Sequence, residues 1–496
     1  MKKTATMLLL IAFAYSLIWS KCSSHDAQTQ QTNDSTKVGT GPQELAYVPI
    51  DSSLFAKPGE IQGWVNKFDD ASIEAHAWNL WGGLTALTEQ KYPVKDTADK
   101  YHIPQVSMAV FNTWWDEYEV FNPPATRAAR TTLRFHGPRQ AASAAGKASA
   151  DVHSGEVMSF NKYSKEFLDY VDAHQFYYLK SLTDLKKNQV KAIPTDFEAK
   201  KSMMLKPTFI VASPDKPVLI PYWKGPSMTV AGTTDPDRPV STTWTQWVLF
   251  NPTNQNIAPG TPFTTQYSRK DGSLHDTTLT QYEVVGRDYF YYLPLAPADI
   301  SYIKAGNIFT IGGVSPDSMK TGDLALLIGC HVTSIEFFQN WTWQTYWWSP
   351  HPSKTPPASA NVKPPFTHYD MMPCYYMIDK NKQPFISQNP YLEPSIIAPI
   401  VLYDKFSRGL GVRSNCMSCH HSAAFPTANM DPSPASMLIG SYIGAGDVQP
   451  DNNIFRQGTP NQRVQTNFMW SIILLKQAVT SPDGKDSLGI YLNPNK

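Results

Sequence analysis

The sequence predicts an α+β fold in which a large mixed domain is built on an antiparallel sheet core. Two observations favour this class: strand-like runs follow one another between prolines and glycines, and strands and helices do not alternate as a doubly wound parallel sheet requires. With 42% hydrophobic and 17% charged residues, the composition is that of a folded globular protein. At 496 residues the chain exceeds one ordinary domain, so we expect a second, small and mainly helical unit.

Hydrophobic periodicity and chain breakers give the order of the elements. Apolar residues at helical spacing predict helices over residues 71–89, 161–187 and 466–479. Apolar runs bounded by Pro and Gly predict strands over residues 202–211, 243–250, 280–295 and 323–333. Seven prolines between residues 349 and 373 predict a long surface loop. We place the domain boundary near residue 400, which gives one domain over 46–400 and a second over 401–496.

The N-terminus has the pattern of an export signal. A pair of lysines precedes an apolar run from Met7 to Trp19, which is too short to span a bilayer comfortably. Because the run leads to Cys22, residues 1–22 resemble a bacterial lipoprotein signal, in which the cysteine is lipidated, although Lys21 replaces the small residue preferred before it. A cleaved soluble protein is the alternative.

The region after Cys22 predicts the compartment of the protein and its attachment to a membrane. Residues 23–45 are rich in Ser, Thr, Gln and Asp without an apolar period, which predicts a flexible linker. Ser23 follows the cysteine, so we expect a periplasmic protein tethered to the outer membrane by its lipid anchor alone. The 43 basic and 42 acidic side chains create no net field for phosphate backbones, and no nucleic-acid partner is expected.

One motif in the C-terminal region carries recognisable chemistry. Cys416, Met417, Ser418, Cys419 and His420 form C-x-x-C-H, the attachment signature of a c-type haem. The two thiols form thioethers with the haem vinyl groups, and the imidazole binds the iron as its proximal ligand. The spacing allows one helical turn to present all three groups. Zinc or a redox dithiol are the other uses of C-x-x-C, and export disfavours both.

The segment 415–426, NCMSCHHSAAFP, resembles the haem-attachment segment of bacterial c-type cytochromes. The resemblance implies that Cys416 and Cys419 are the thioether anchors and that His420 is the axial ligand. His421 departs from it, because many such cytochromes have a small residue there. We therefore expect the second domain to be cytochrome c-like, with one covalent haem c.

Two upstream segments resemble periplasmic cytochrome-c-family proteins of no assigned activity. They are AWNLWGGLTAL at 77–87 and HVTSIEFFQNWTWQTYWW at 331–348. The aromatic residues of the second segment could wall the haem, line a ligand groove or form ordinary core. Because Trp343 and Trp347 would share one face of a helix, the spacing is typical of packing.

The sixth iron ligand decides whether the haem relays electrons or binds a ligand. Met469 lies at a distance beyond the motif similar to that of the methionine in many small cytochromes, but its apolar helical pattern also fits plain core. Met430 and Met437, in the proline-flanked loop after the motif, are further candidates. More remote candidates are His331, His351 and His368. A lone histidine in a strand, such as His331, is more often simply hydrogen-bonded, so it ranks below the methionines.

The five cysteines must be accounted for in an exported chain because their number is odd. Cys22 is assigned to lipid, and the motif cysteines are assigned to haem. Cys330 and Cys374 are then either joined by a disulfide, in an oxidising compartment, or remain two buried free thiols.

Three functions remain open on the sequence alone. The first is electron transfer with a redox partner protein, since the cofactor supplies the chemistry and the protein supplies position and potential. The second is a haem-dependent oxidoreductase with its substrate site in residues 46–400, for which no catalytic residue can be named. The third is a gas-binding lipoprotein with an open iron. The chain contains no H-E-x-x-H, Walker-type or G-x-S-x-G motif, so hydrolase and nucleotide-binding functions lack support.

Overall fold

The structure is a computed structural model that describes most residues between 44 and 376 and short stretches beyond them. The longer described ranges are 44–133, 158–194, 201–223, 246–268, 274–305, 313–337 and 340–376. The remaining described residues are 135, 380–381, 385, 387, 389, 391–392, 417, 420, 423–425, 462–467, 469, 472, 479–480 and 486–487. The expected signal peptide with Cys22, most of the expected linker and the expected domain boundary lie outside these residues.

The described residues form short helices and many strands. The helices are α1 Glu60–Lys67, α2 Asp70–Thr85, α3 Lys95–Tyr101, α4 Glu117–Val120, α5 Lys165–His174, α6 Leu179–Lys187 and α7 Pro297–Ala305. The first strands are β1 Leu87–Tyr92, β2 Val106–Ala109, β3 Trp115–Asp116, β4 Met158–Ser159, β5 Lys162–Tyr163, β6 Met203–Ala212, β7 Val218–Pro221, β8 Trp247–Phe250, β9 Phe263–Ser268 and β10 Leu274–Leu279. The later strands are β11 Glu283–Val285, β12 Tyr292–Pro294, β13 Leu324–Phe337, β14 Asn340–Trp348, β15 Tyr369–Cys374, β16 Ala424–Phe425, β17 Val464–Gln465, β18 Val479–Thr480 and β19 Asp486–Ser487.

One sheet organises the fold, and all of its strand pairs are antiparallel. Its order is β15-β14-β13-β6-β5-β3, with β12 also paired to β13 and β4 also paired to β6. A smaller sheet, β11-β8-β7, contains one parallel pair. The predicted class is therefore confirmed: the protein is α+β with an antiparallel sheet core. A cytochrome c-like second domain stays a prediction.

The two central strands are covered on both faces, which explains why they could be recognised in the sequence. The strands predicted over 202–211 and 323–333 correspond to β6 and β13. Almost every residue of β6 is buried, on either face of the sheet. A strand enclosed in this way is a continuous apolar run, as TFIVA and LALLI are.

Helices cover the sheet on opposite faces. The α2 face carries Cys330, Val332 and Tyr346, which share a hydrophobic cluster with buried residues of α2. The C-terminal face carries Thr333 and Trp343, since residues paired across antiparallel strands point the same way. Its cluster contains residues of α5 and α6 and described residues from the C-terminal region, namely Met417, Ala423, Phe425, Val464, Met469 and Ile472.

Both predicted N-terminal helices exist but are shorter than predicted. Helix α2 begins after Asp69, whose carboxylate accepts the Ser72 N–H, and it ends at Thr85 because the chain turns into β1. The pattern over 161–187 divides into α5 and α6. The break is at Gln175, which has a left-handed backbone with φ of 53° and ends α5.

The proline-rich region is not loop throughout. Its last residues form β15, and Pro373 can lie there because β15 is the edge strand and Pro lacks only the N–H that a second neighbour would need. In the predicted last helix, Thr466 is not helical, Ile472 is helical and Val479 lies in β18. None of the helices in the described part of the chain is long and apolar enough to cross a membrane.

Candidate functional site

The described part of the haem motif lies against the C-terminal face of the main sheet. Met417 and His420 have helical backbone, and Met417 is buried in the cluster of that face. The His420 ring lies on the indole of Trp343, with 4.3 Å between ring centroids and 46° between planes. Cys416 and Cys419 lie outside the described residues. The imidazole that the motif provides is thus packed on an aromatic side chain of β14.

Strand pairing places a second imidazole on the same face. His331 of β13 pairs with Thr345 of β14, and Thr333 pairs with Trp343. Residues two apart on a strand point to the same face, so His331 and Trp343 are diagonal neighbours there. The opposite neighbour of His331 on β6 is Lys206.

His331 is held in its neutral form. Part of the residue surface is exposed, but Nε2 is buried. Burial is the main cause that lowers the pKa of His331 to about 3, and the charges of Lys206 and then His420 contribute in the same direction. Neutral imidazole is the form that binds metals. The influence of His420 also shows that the two imidazoles are close enough to interact.

The structure treats the candidate methionines differently. Met469 is 1% exposed and shares the hydrophobic cluster of Met417 and Trp343, with its carbonyl accepting the Thr466 hydroxyl at 3.1 Å. This environment fits both alternatives from the sequence, a core residue and a nearby thioether donor. Met430 and Met437 lie outside the described residues.

The other two candidate histidines have contacts elsewhere. His351 is exposed, and its Nε2 lies 2.8 Å from Oε2 of Glu283. His368 stacks on Tyr289, with 4.4 Å between ring centroids. The carbonyl of Tyr289 accepts the indole N–H of Trp348, which belongs to the cluster of the α2 face. The structure does not bring either histidine to His420.

Of the two alternatives left open for Cys330 and Cys374, the structure has two buried free thiols. Cys330 lies on β13 in the cluster of the α2 face, whereas Cys374 lies on β15 in the cluster of the C-terminal face. Strand β14 separates them, and their partners on it, Tyr346 and Trp343, are three residues apart. Their backbones are therefore more than about 9–10 Å apart, beyond the reach of a bridge. Burial raises the pKa of the Cys330 thiol far above its ordinary value, so it stays protonated.

The aromatic segment is strand β14, so the shared helical face expected of it is wrong. Trp341 and Trp343 belong to the cluster of the C-terminal face, whereas Tyr346 and Trp348 belong to that of the α2 face. Trp347 packs on Trp223, with 4.8 Å between ring centroids. The alternation of a strand therefore leaves one tryptophan of the segment in contact with His420.

A buried polar network, which the sequence did not suggest, lies where α2 meets the ends of β13 and β14. His76 Nδ1 lies 2.6 Å from the Tyr375 hydroxyl, and His76 Nε2 lies 3.2 Å from Glu336 Oε1. Gln344 donates to the same hydroxyl at 2.7 Å. The available signal was His76 itself, a polar residue three positions after Ile73 on the apolar side of a predicted helix.

A cleft lies on the proline-rich loop. It has a volume of about 500 Å³ and is lined by Pro352, Lys354, Thr355, Pro356, Pro357, Ala358, Asn361, Val362, Lys363 and Thr367. None of these residues belongs to the C-terminal face. Among the described residues, no three or more His, Cys, Asp or Glu side chains come together as a metal-binding group.

Comparisons with family models, with curated proteins and with solved structures give no match to this chain.

Proposed function

We propose that the chain is an exported c-type cytochrome that binds one covalent haem through Cys416, Cys419 and His420 and exchanges electrons with a redox partner protein. The observation that carries the proposal is the position of His420. This residue completes the attachment motif, and its imidazole packs on Trp343 within a buried, aromatic face of the sheet.

The residues present fit a c-type haem. The motif provides two thiols and an imidazole at the required spacing. The face beside them offers apolar and aromatic walls with further donors, the imidazole of His331 and the thioethers of Met417 and Met469. When bound, the haem supplies one-electron redox chemistry, while burial, the axial ligands and hydrogen bonds from the protein set its potential.

Electron transfer needs fewer assumptions than substrate chemistry. A relay requires the haem and a surface for its partner protein, since the cofactor supplies the chemistry and the protein supplies position and potential. A haem-dependent oxidoreductase needs in addition a substrate site beside the cofactor, and no catalytic residue can be named for one.

Replacement of Cys419 tests the cofactor. With Cys419→Ala expressed alongside c-haem maturation, we expect no doubly thioether-linked haem, measured by the reduced pyridine haemochrome and by haem staining after denaturation. Cys374→Ala is the matched control, because Cys374 is a buried free thiol outside the motif and its loss should leave the haem attached. A wild-type chain without covalent haem contradicts the proposal.

We further propose that Cys22 carries the lipid that holds the protein at the periplasmic side of the outer membrane. The support is the apolar run that ends near this cysteine and the polar segment that follows it. Cys22→Ala should abolish incorporation of labelled palmitate and release the protein from the membrane fraction. Equal labelling of the wild-type and variant chains would exclude lipidation at this residue.

A further inference from the structure

We propose that His331 is the second axial ligand of the haem iron, on the side opposite His420. The inference deepens the proposed function and rests on it, since it assigns the remaining iron ligand of the same haem. It makes the site a bis-histidine centre in which one imidazole comes from the motif and the other comes from the main sheet.

The first argument is the register of the sheet. His331 lies one diagonal position from Trp343 across β13 and β14, and the Trp343 ring contacts the His420 ring. The two histidines therefore lie beside the same indole, although one belongs to a strand and the other to the C-terminal segment.

The second argument is rigidity. His331 lies within a 14-residue strand that is hydrogen-bonded to β6 on one side and β14 on the other. Backbone ladders on both sides fix the position of the side chain, and a metal ligand on a rigid element is held in place before the metal binds. A ligand from this strand would also fasten the C-terminal segment to the large sheet.

The third argument is that the other two candidate histidines lie elsewhere in the structure. Met469 lies in the cluster on the C-terminal face and is the alternative donor that the test below addresses. His351 is bonded to Glu283, and His368 is stacked on Tyr289. The charged group nearest to His331 in the ladder is Lys206, which lies opposite it on β6.

The test compares the full-length wild-type holoprotein with three variants by absorption with and without carbon monoxide. The wild-type reduced spectrum should be low-spin and unmoved by carbon monoxide, because both axial positions are occupied. His331→Ala should open the iron, so that carbon monoxide shifts the spectrum, and added imidazole should restore the closed form. Met469→Leu removes the alternative donor and should leave the iron closed. His368→Ala is the matched control, because His368 stacks on Tyr289 away from His420, and it should leave the spectrum unchanged.

His331→Met provides a second readout that does not depend on an empty site. A thioether in this position should introduce a sulfur-to-iron charge-transfer band in the ferric protein and raise the reduction potential, as methionine does relative to histidine. The ferric wild-type protein should lack that band. This wild-type measurement needs no variant, so it excludes or reveals a methionine ligand even where His331→Ala does not fold, and the new band of His331→Met then assigns the position to residue 331.

The outcomes separate this inference from the proposed function. Two results overturn the His331 assignment alone. The first is covalent haem with a sulfur-to-iron band in the wild type. The second is an iron that Met469→Leu opens and His331→Ala leaves closed. A haem-bearing wild type that readily takes up carbon monoxide overturns it as well. Absence of covalent haem in the wild type instead refutes the cytochrome proposal itself.

Discussion

Replacing Glu336 by alanine is expected to lower the free energy of unfolding by about 3–5 kcal/mol, the usual cost of removing one partner from a buried polar pair. The Glu336 side chain is 1% exposed. Its carboxylate accepts the Ala56 N–H at 2.7 Å and the Ser334 hydroxyl, and it lies 3.2 Å from His76 Nε2. Alanine removes all of these acceptors at once. The donors left behind are enclosed by protein and cannot regain water without local opening.

Two controls separate the network from a general effect of lost charge. Glu336→Gln keeps a carbonyl oxygen that can accept from Ala56 and His76. Its amide N–H can donate to the Ser334 hydroxyl, which then donates to the Thr342 hydroxyl, 2.6 Å away. We expect a loss of about 1 kcal/mol. Glu74→Ala removes a partly exposed ion pair with Lys354 and should cost less than about 1 kcal/mol. Urea denaturation measures the loss in free energy of unfolding for each of the three variants. A loss for Glu336→Ala no larger than that for Glu74→Ala would contradict the prediction.

The network also bears on the candidate haem site because both use β13. Glu336 and His331 lie on this strand, on opposite faces of the sheet: Glu336 bonds to His76 of α2, and His331 lies on the face that carries Trp343. A variant that weakens the α2 side should therefore lower stability without changing the haem spectrum. If Glu336→Ala alters the spectrum of the folded protein, the two faces are coupled through the strand.

The sequence predicts best where local pattern and tertiary environment agree. The central strands β6 and β13 are enclosed on both faces, so their apolar runs could be recognised without knowing their partners. Helix α2 was predicted from its buried stripe, but the residue at which it ends was not predicted. The chain changes direction between Thr85 and Leu87, within an apolar run that gives no sign of the change. Boundaries depend on backbone contacts that composition does not encode.

Strand β14 shows how a local pattern misleads. Trp343 and Trp347 lie four residues apart, which mimics a helical stripe, but pairing with β13 and β15 fixes the segment as a strand. The choice between a disulfide and two free thiols stayed open for a related reason. Cys330 and Cys374 are both buried, and only the intervening β14 and their opposite faces show that they cannot meet.

The candidate site combines a local motif with long-range contacts. C-x-x-C-H lies within five consecutive residues, so the attachment chemistry could be proposed from sequence alone. The contact between Trp343 and His420, by contrast, joins a strand to a segment far along the chain. His331 ranked below the methionines because a lone histidine in a strand is more often simply hydrogen-bonded. Its position diagonal to Trp343 depends on the sheet register, which the sequence does not give. His76 and Glu336, 260 positions apart, were missed for the same reason.

Gly82→Ala is expected to destabilise the protein by about 2 kcal/mol or more, although alanine favours helices. Gly82 lies within α2, and a Cβ added there would be 1.8 Å from the carbonyl oxygen of Ala360. That oxygen belongs to backbone, so the conflict cannot be relieved by a change of rotamer. Either the helix or the short 3₁₀ turn at Ala358–Ala360 must move, at a cost greater than the gain in helix propensity.

The matched control is Gly63→Ala in α1, where an added Cβ meets nothing within 4 Å. Because alanine loses less backbone entropy than glycine in a helix, this variant should gain about 0.5–1 kcal/mol. Opposite signs in urea denaturation would show that close approach, and not helix propensity, requires glycine at position 82. Since α2 covers the face of the sheet opposite His420, Gly82→Ala should lower stability while the absorption of the proposed haem in the folded protein is unchanged. A gain in stability for Gly82→Ala would mean that Ala360 does not approach the helix in solution.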